Sequence, residues 1–316
     1  MLNKRIFDYK NDENIELFVL IKSAETRIAK NGKQFIAFNF SDQSGVISAK
    51  FWDASKEAIA TFTPGKVVYL KGKRELYQNN PQIKIFKLRL AKESEPQDPA
   101  LFVQKAPEKR AEIEAELNRY LFEITNPTWN RIVRALLKEY QKEFFTFPAA
   151  KSNHHAYAGG LAFHTLSILR LAKALGTQYP QLDTSLLYAG AILHDLGKVL
   201  ELSGPVATSY TLAGNLLGHI VLIDEEIVKT CERLGLATES EDALLLRHMI
   251  ISHHGLLEYG SPVRPHLVEA EVLHQLDNLD ASLQMLDKSL EHTAPGEFTE
   301  RIFGMDGRNF YRPNEK

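Results

Sequence analysis

The spacing of apolar residues changes once along this chain, and the change falls on a segment that obeys neither spacing. Residues 92–99 read Lys-Glu-Ser-Glu-Pro-Gln-Asp-Pro and hold no large apolar side chain. Such a stretch neither packs nor continues a strand or helix, so it is expected to link two domains. Before it, apolar residues alternate; from residue 107 onward they recur at spacings of three and four. The expected architecture is therefore multidomain: an all-β part over 1–91, a linker over 92–108, and an all-α part over 109–316 with its core near 155–290. A length of 316 residues is enough for two such cores.

The first part reads as five short strands, near 15–21, 35–40, 46–52, 67–73 and 83–90. Turn signals at Asn31-Gly32, residues 42–45, Pro64-Gly65 and Asn79-Asn80-Pro81 separate them. One helical stretch, near 54–60, falls between the third and fourth strands. That order is the order of an OB-fold barrel. Alternation in the third strand puts Ile47, Ala49 and Phe51 on one face and Ser48, Lys50 and Trp52 on the other. In the fourth, Val68 and Leu70 oppose Tyr69, Lys71 and Lys73. Aromatic rings beside lysines suit single-stranded nucleic acid, because bases stack on rings while cations track phosphates. The plainer alternative is that Trp52 and Tyr69 cover a barrel end or a domain interface.

Charge supports the nucleic-acid reading. Residues 15–91 hold 13 Lys and Arg against 6 Asp and Glu, whereas the rest of the chain holds 25 against 34. A basic part joined to an acidic one points to a polyanion on the basic side, although a basic solubilising surface gives the same count. Lys30, Lys33, Lys50, Lys71, Lys73 and Arg74 are the cations expected to follow phosphates. Cys231 is the single cysteine, which excludes an intramolecular disulfide and a cysteine-rich zinc cluster. The first ten residues are polar and no run of about eighteen apolar residues occurs, so a cytoplasmic protein without a membrane span is expected.

In the second part, helices are expected near 161–175, 185–196, 212–234, 242–253 and 265–290, with Asn126-Pro127 capping an earlier one. His and Asp residues sit inside these apolar stretches. His194-Asp195 follows Leu186-Leu-Tyr-Ala-Gly-Ala-Ile-Leu193; His219 lies within Leu216-Leu-Gly-His-Ile-Val221; His253-His254 follows Met249-Ile-Ile-Ser252. His164 follows Gly159-Gly160, and Asp277 and Asp280 share one side of the last helix. A lone histidine in an apolar helix is usually a satisfied core or capping residue, and His248 and His274 are left there. The whole set is different. Each buried polar group needs a partner, and a shared metal provides one for all of them.

The ordered set His164, His194-Asp195, His219, His253-His254, Asp277 resembles the binuclear HD superfamily of metal-dependent phosphohydrolases. Residues 154–165, His-His-Ala-Tyr-Ala-Gly-Gly-Leu-Ala-Phe-His-Thr, resemble the opening of its nucleic-acid-processing members. Residues 33–52 resemble the second and third strands of nucleic-acid-binding OB domains. Barrel, linker and HD domain in this order resemble the YhaM-type 3′-to-5′ exoribonucleases. The resemblance implies His164, His194, Asp195, His219, His253 and Asp277 as ligands of two divalent ions, with Asp195 bridging. Manganese is favoured, with magnesium, cobalt, iron or zinc as alternatives. It implies single-stranded RNA as substrate, single-stranded DNA as a second one, and nucleoside 5′-monophosphates as product. Lys198 is expected to neutralise phosphoryl oxygens, or else to be a helix-end charge. His254, His155 and Tyr157 are expected to position the scissile phosphate, and Asp280 to handle substrate. Phe163 stands where related openings carry an acidic residue, which argues against a third metal there.

Two other functions stay open on the sequence. One is a phosphohydrolase of nucleotides or alarmones whose barrel serves oligomerisation; the other is a nucleic-acid-binding accessory protein with a vestigial site. An assembly of identical chains, and the docking of Phe298, Phe303, Phe310 and Tyr311, also stay open.

Overall fold

Alternating burial along strands of matched length closes the first part into a barrel. The computed structural model describes residues 4–77, 80–151, 155, 157–291 and 293–314; Asn79 of the last turn signal, and His154 and Ala156 of the opening segment, lie outside the described residues. Strands β1 (Asn14–Ile28), β2 (Gln34–Asp42), β3 (Gly45–Phe51), β4 (Val67–Tyr77) and β5 (Asn80–Leu90) form a closed barrel in the order β1-β2-β3-β5-β4. Helix α1 (Lys56–Thr61) lies between β3 and β4, with the Ser55 hydroxyl accepting from the Ala58 N–H. This is the expected OB-fold.

One long strand makes closure feasible. β1 pairs with β4 through residues 14–20 and with β2 through residues 20–28, and its register shifts between Ile21 and Ser23. Such a bulge bends a strand enough to serve both neighbours. Phe38, Phe40, Ile47, Ala49, Val68, Leu70 and Ile83 fill the interior. Gly72 is required where β4 meets β5, because a Cβ there would stand 2.4 Å from the Lys84 carbonyl oxygen.

The segment after β5 is less free than its composition implies. Glu95 takes two hydrogen bonds from Arg89, at 2.6 and 2.7 Å, and Gln43 donates to the Leu101 carbonyl. By contacts the chain divides into one unit of Met1–Lys105 with Pro205–Thr208 and another of Ala106–Gly204 with Ser209–Lys316.

The second unit is helical: α2 (Arg110–Glu123), α3 (Pro127–Glu139), α4 (Gln141–Phe144), α5 (Gly160–Gln178), α6 (Thr184–Leu193), α7 (Lys198–Glu201), α8 (Leu212–Leu234), α9 (Glu241–Ser252) and α10 (Val268–Glu291). Asn126 caps α3 through its side chain, with Pro127 in the first turn. α6 is buried over residues 185–193 and packs against α3, α5, α9 and α10. Its end therefore delivers His194 and Asp195 to the middle of the unit.

Two expected helices are interrupted, both beside the polar residues. The helix expected over 185–196 stops at Leu193, and α7 starts only at Lys198. Between them, a Cβ on Gly197 would lie 2.2 Å from the His219 carbonyl oxygen, so only glycine permits this approach. α8 is broken at Gly218, with φ 75° and ψ 159°, one residue before His219. That left-handed φ suits glycine and re-aims the following turn. After α10 the chain folds back: Phe298 bridges Tyr311, and Arg312 donates to the carbonyls of Leu290 and Thr293. Among the described residues no helix is long and apolar enough to cross a membrane.

Candidate metal centre and nucleic-acid face

His164, His194, His219 and His253 converge on Asp195, with His254 beside the last two, and each of the five is anchored through Nδ1. Nδ1 of His194 lies 2.8 Å from the Ala191 carbonyl, that of His253 2.6 Å from Ile250, and that of His254 2.6 Å from Tyr259. Nδ1 of His219 faces Glu201 at 3.2 Å, and Nδ1 of His164 faces Asp280 at 2.7 Å. In His194, His219, His253 and His254 the acceptor fixes the N–H on Nδ1 and leaves the Nε2 lone pair for the interior, whereas Nε2 of His164 meets Asp277. Nε2 of His219 and of His253 are buried and make no hydrogen bond among the described residues. Unsatisfied buried nitrogens are costly unless something binds them.

Asp195 divides its two oxygens between two groups. Oδ2 lies 3.5 Å from Nε2 of both His164 and His194, and 2.9 Å from the Lys198 ammonium. Oδ1 lies 3.4 Å from Nε2 of His219 and 4.0 Å from that of His253. Asp277 joins the first group, with Oδ1 3.2 Å from His164 Nε2. His219, His253 and His254 place ligand atoms close enough to share one ion, as do His164, His194 and Asp195. The donor set, imidazole and carboxylate without thiolate, fits a divalent first-row cation.

Electrostatics agree with that fit. Burial pushes the Asp195 carboxyl up, but Lys198 and the surrounding histidines hold it well below the usual range. Burial, with His254, His194 and His219 nearby, drives His253 well below its ordinary value, so it stays neutral. Burial also lowers His194 and His254. His164 is the exception: burial lowers it, yet hydrogen bonds to Asp277 and Asp280 hold it up at about 10. Only a proton or a cation can stand between its Nε2 and Asp277. Lys198 is buried at the start of α7 and stays charged, since Asp195 outweighs its desolvation. A cavity of about 380 Å³ opens onto this centre, and Lys198, His219, His254 and Asp277 line it.

Three expectations about this centre need correction. Asp280 does not reach the cavity: it is 4% exposed and accepts hydrogen bonds from Ser167, His155 and His164. The three-residue spacing put it on the same side as Asp277, but α5 covers that turn. His155 is 2% exposed and held between Asp280 and the Tyr157 hydroxyl, both at 2.7 Å, so it cannot touch a scissile phosphate. Tyr157 is likewise committed to His155. His155, His164 and Asp280 are close enough to hold an ion, yet their facing atoms bond one another. They form a hydrogen-bonded chain behind His164. Asp280→Asn is expected to weaken metal binding about 10- to 100-fold, the range for losing such a support, measured by metal titration of the folded variant.

Glu201, which sequence reasoning missed, plays the matching part for His219. Its carboxylate accepts from both the backbone N–H and Nδ1 of His219, each at 3.2 Å. His274 and His248, set aside as structural, bond the His253 carbonyl and the His266 N–H.

On the barrel the predicted residues separate into two places. Lys50 stands opposite Lys84 across β3 and β5, and Lys84 opposite Lys73 across β5 and β4. Trp52, 56% exposed, packs on Phe35 at 4.7 Å between centroids, and the Lys50 ammonium lies 4.8 Å from the Tyr77 ring centre. Lys50, Lys73 and Trp52 thus share one face with Lys84, Phe35 and Tyr77, which sequence reasoning missed. Tyr69 and Lys71 are not in this group: Tyr69 bonds Glu16 and lies under Arg89, and Lys71 pairs with Glu16 at 3.4 Å. Lys33 pairs with Asp53 at 3.0 Å, and Lys30 is exposed. Arg74 is a correction. It shares the inward parity of Val68 and Leu70, packs against the Phe7 ring and donates to the Tyr9 carbonyl. Burial lowers its pKa, which suits a barrel-end plug better than a phosphate contact.

Barrel and helical centre together define an HD-domain protein with an OB-fold module. Residues 161–282 match the HD domain family, and residues 17–91 match the OB-fold nucleic acid binding domain family. The chain is 46% identical over 312 residues to the 3′-5′ exoribonuclease YhaM of Listeria innocua serovar 6a, covering 99% of both chains. It belongs to the YhaM family. Among solved structures, the second OB-fold domain of replication protein A from Methanococcus maripaludis aligns with 29% of this chain and 98% of its own, at 14% identity and a TM-score of 0.24.

Proposed function

We propose that this chain is a metal-dependent 3′-to-5′ exoribonuclease that trims single-stranded RNA to nucleoside 5′-monophosphates. The observation that carries the reading is the convergence of His164, His194, His219 and His253 on the two oxygens of Asp195, each ring anchored from behind through Nδ1. The polarity and the RNA substrate come from the YhaM relative. Residues 1–91 hold the strand, 92–108 connect, and 109–316 hydrolyse. Single-stranded DNA is a second substrate, and the cytoplasm is where such turnover takes place.

His164, His194, Asp195 and Asp277 would hold one divalent cation, and Asp195, His219, His253 and His254 a second. Manganese is the first choice by the family resemblance, and the imidazole-rich donor set equally accommodates iron or zinc. Such cations acidify water and stabilise charge on a phosphoryl group. The chain's own residues do the rest. Lys198 keeps its ammonium 2.9 Å from Asp195 at the cavity wall, where it neutralises a phosphoryl oxygen. Glu201 and Asp280 fix the ring planes of His219 and His164. His254, with Nδ1 spent on Tyr259, would offer Nε2 as a ligand of the second ion rather than position the phosphate.

The test is hydrolysis of end-labelled single-stranded RNA, single-stranded DNA and free nucleotides, with and without chelator. Release of 5′-monophosphates from the 3′ end of RNA, abolished by chelator and restored by manganese, is expected. Turnover of free nucleotides with intact strands would replace this reading with that of a small-molecule phosphohydrolase.

A further inference from the structure

The cavity has a wall that the hydrolytic chemistry leaves unused. Tyr210, Tyr259 and Lys151 line it together with Lys198, His254 and Asp277. Both rings are open to solvent, Tyr210 at 44% and Tyr259 at 62%. An exposed tyrosine by itself signifies little. These two are fixed to the centre by their backbones. The Tyr259 carbonyl is the acceptor that orients His254, at 2.6 Å. Tyr210 bridges Leu202, and the next residue, Thr211, donates its N–H to the carbonyl of Glu201, the residue that orients His219. The Lys151 ammonium lies 5.5 Å from the centre of the Tyr210 ring. Two aromatic rings on anchored backbone, and a cation, thus line the cavity of a phosphodiester-cleaving centre. A flat aromatic group joined to a phosphate is the ligand such a wall matches.

We infer that Tyr210 and Tyr259 form the subsite for the 3′-terminal base, with Lys151 taking the phosphate that precedes the scissile one. The inference rests on the exoribonuclease reading and deepens it: every base has a stacking face, so this subsite grips the last nucleotide without reading its sequence. It also registers the strand, because a stacked terminal base sets the adjacent phosphodiester against Lys198 and the two groups around Asp195.

The test compares two RNA strands that are identical except that the 3′-terminal ribonucleotide of one lacks its base. The wild-type chain is expected to favour the base-bearing end in kcat/KM by about 5- to 150-fold, the range for one stacked base. Tyr210→Ala and Tyr259→Ala should each reduce that preference, and Tyr210→Phe, which keeps the ring, should retain it. The preference is a ratio on one preparation, so partial misfolding cancels from it. A wild-type ratio near one, or a ratio unchanged in both alanine variants, would overturn the subsite and leave the exoribonuclease reading standing. Failure of the wild type to hydrolyse either strand would overturn both.

Discussion

Asp195→Asn is expected to abolish RNA hydrolysis and strip the chain of most of its bound metal, while RNA binding by the barrel stays within a few-fold of wild type. The loss should exceed the roughly 10- to 100-fold cost of removing an outer support such as Asp280. Asp195 is the residue whose two oxygens face different groups of imidazoles, Oδ2 toward His164 and His194 and Oδ1 toward His219 and His253. An amide keeps the size but turns one of those oxygens into an NH₂ aimed at nitrogen lone pairs. It also leaves Lys198 buried without its carboxylate partner at 2.9 Å, and breaking a buried pair costs about 3–5 kcal/mol. Asp195→Glu, which retains the charge, should recover the fold but not the spacing. Metal content by elemental analysis, hydrolysis and thermal unfolding separate these effects. Normal turnover by Asp195→Asn with unchanged metal content would remove the bridging role.

The stepwise loss from Asp195 outward explains which parts of the centre were legible beforehand. His164, His194, Asp195, His219 and His253 were conspicuous because polar groups in apolar helices carry a desolvation cost that something must offset. The structure brings all five together. The supports were not conspicuous. Glu201 meets His219 across two interruptions, the end of α6 after Leu193 and the break of α8 at Gly218. Beside them Gly197 approaches the His219 backbone so closely that only glycine fits, which no local pattern encodes. Asp280 and Asp277 have the same periodicity, and which of them meets the cavity is decided by the packing of α5 over α10.

The barrel shows the same division. Strand alternation separated Lys50 and Trp52 from Ile47 and Ala49, and it also held the clue that Arg74 points inward with Val68 and Leu70. The row Lys50, Lys84, Lys73 was hidden, because it depends on the parallel pairing of β3 with β5 and on the β4–β5 register. Register between strands distant in sequence is set by closure of the barrel rather than by either strand alone.

That row leads to the second large effect. Replacing Lys50, Lys73 and Lys84 together with alanine, with Trp52→Ala as a separate variant, is expected to raise KM strongly for a long strand and hardly at all for a dinucleotide. The chain outside residues 15–91 carries 34 acidic against 25 basic residues, so it gives a polyanion little general attraction beyond the cavity. Holding power for long RNA is expected from the barrel, since an OB fold engages about 4–16 nucleotides. The exposed pair of Lys73 with Asp12 at 2.7 Å does not remove that lysine from the row, since such surface pairs are worth about 0–1 kcal/mol and yield to phosphate. Each phosphate neutralised contributes a slope of about −0.7 to the logarithm of affinity against the logarithm of salt, so the triple variant should flatten the dependence by about 2. Trp52→Ala should instead cost about 1–3 kcal/mol, the value of one stacked base, with the salt slope unchanged. The measurement is a titration of each variant against a dinucleotide and a strand of roughly twenty nucleotides at two salt concentrations. Equal losses on both lengths would mean that these residues support the fold. No loss on either would assign the barrel to another partner and favour a small-molecule phosphohydrolase.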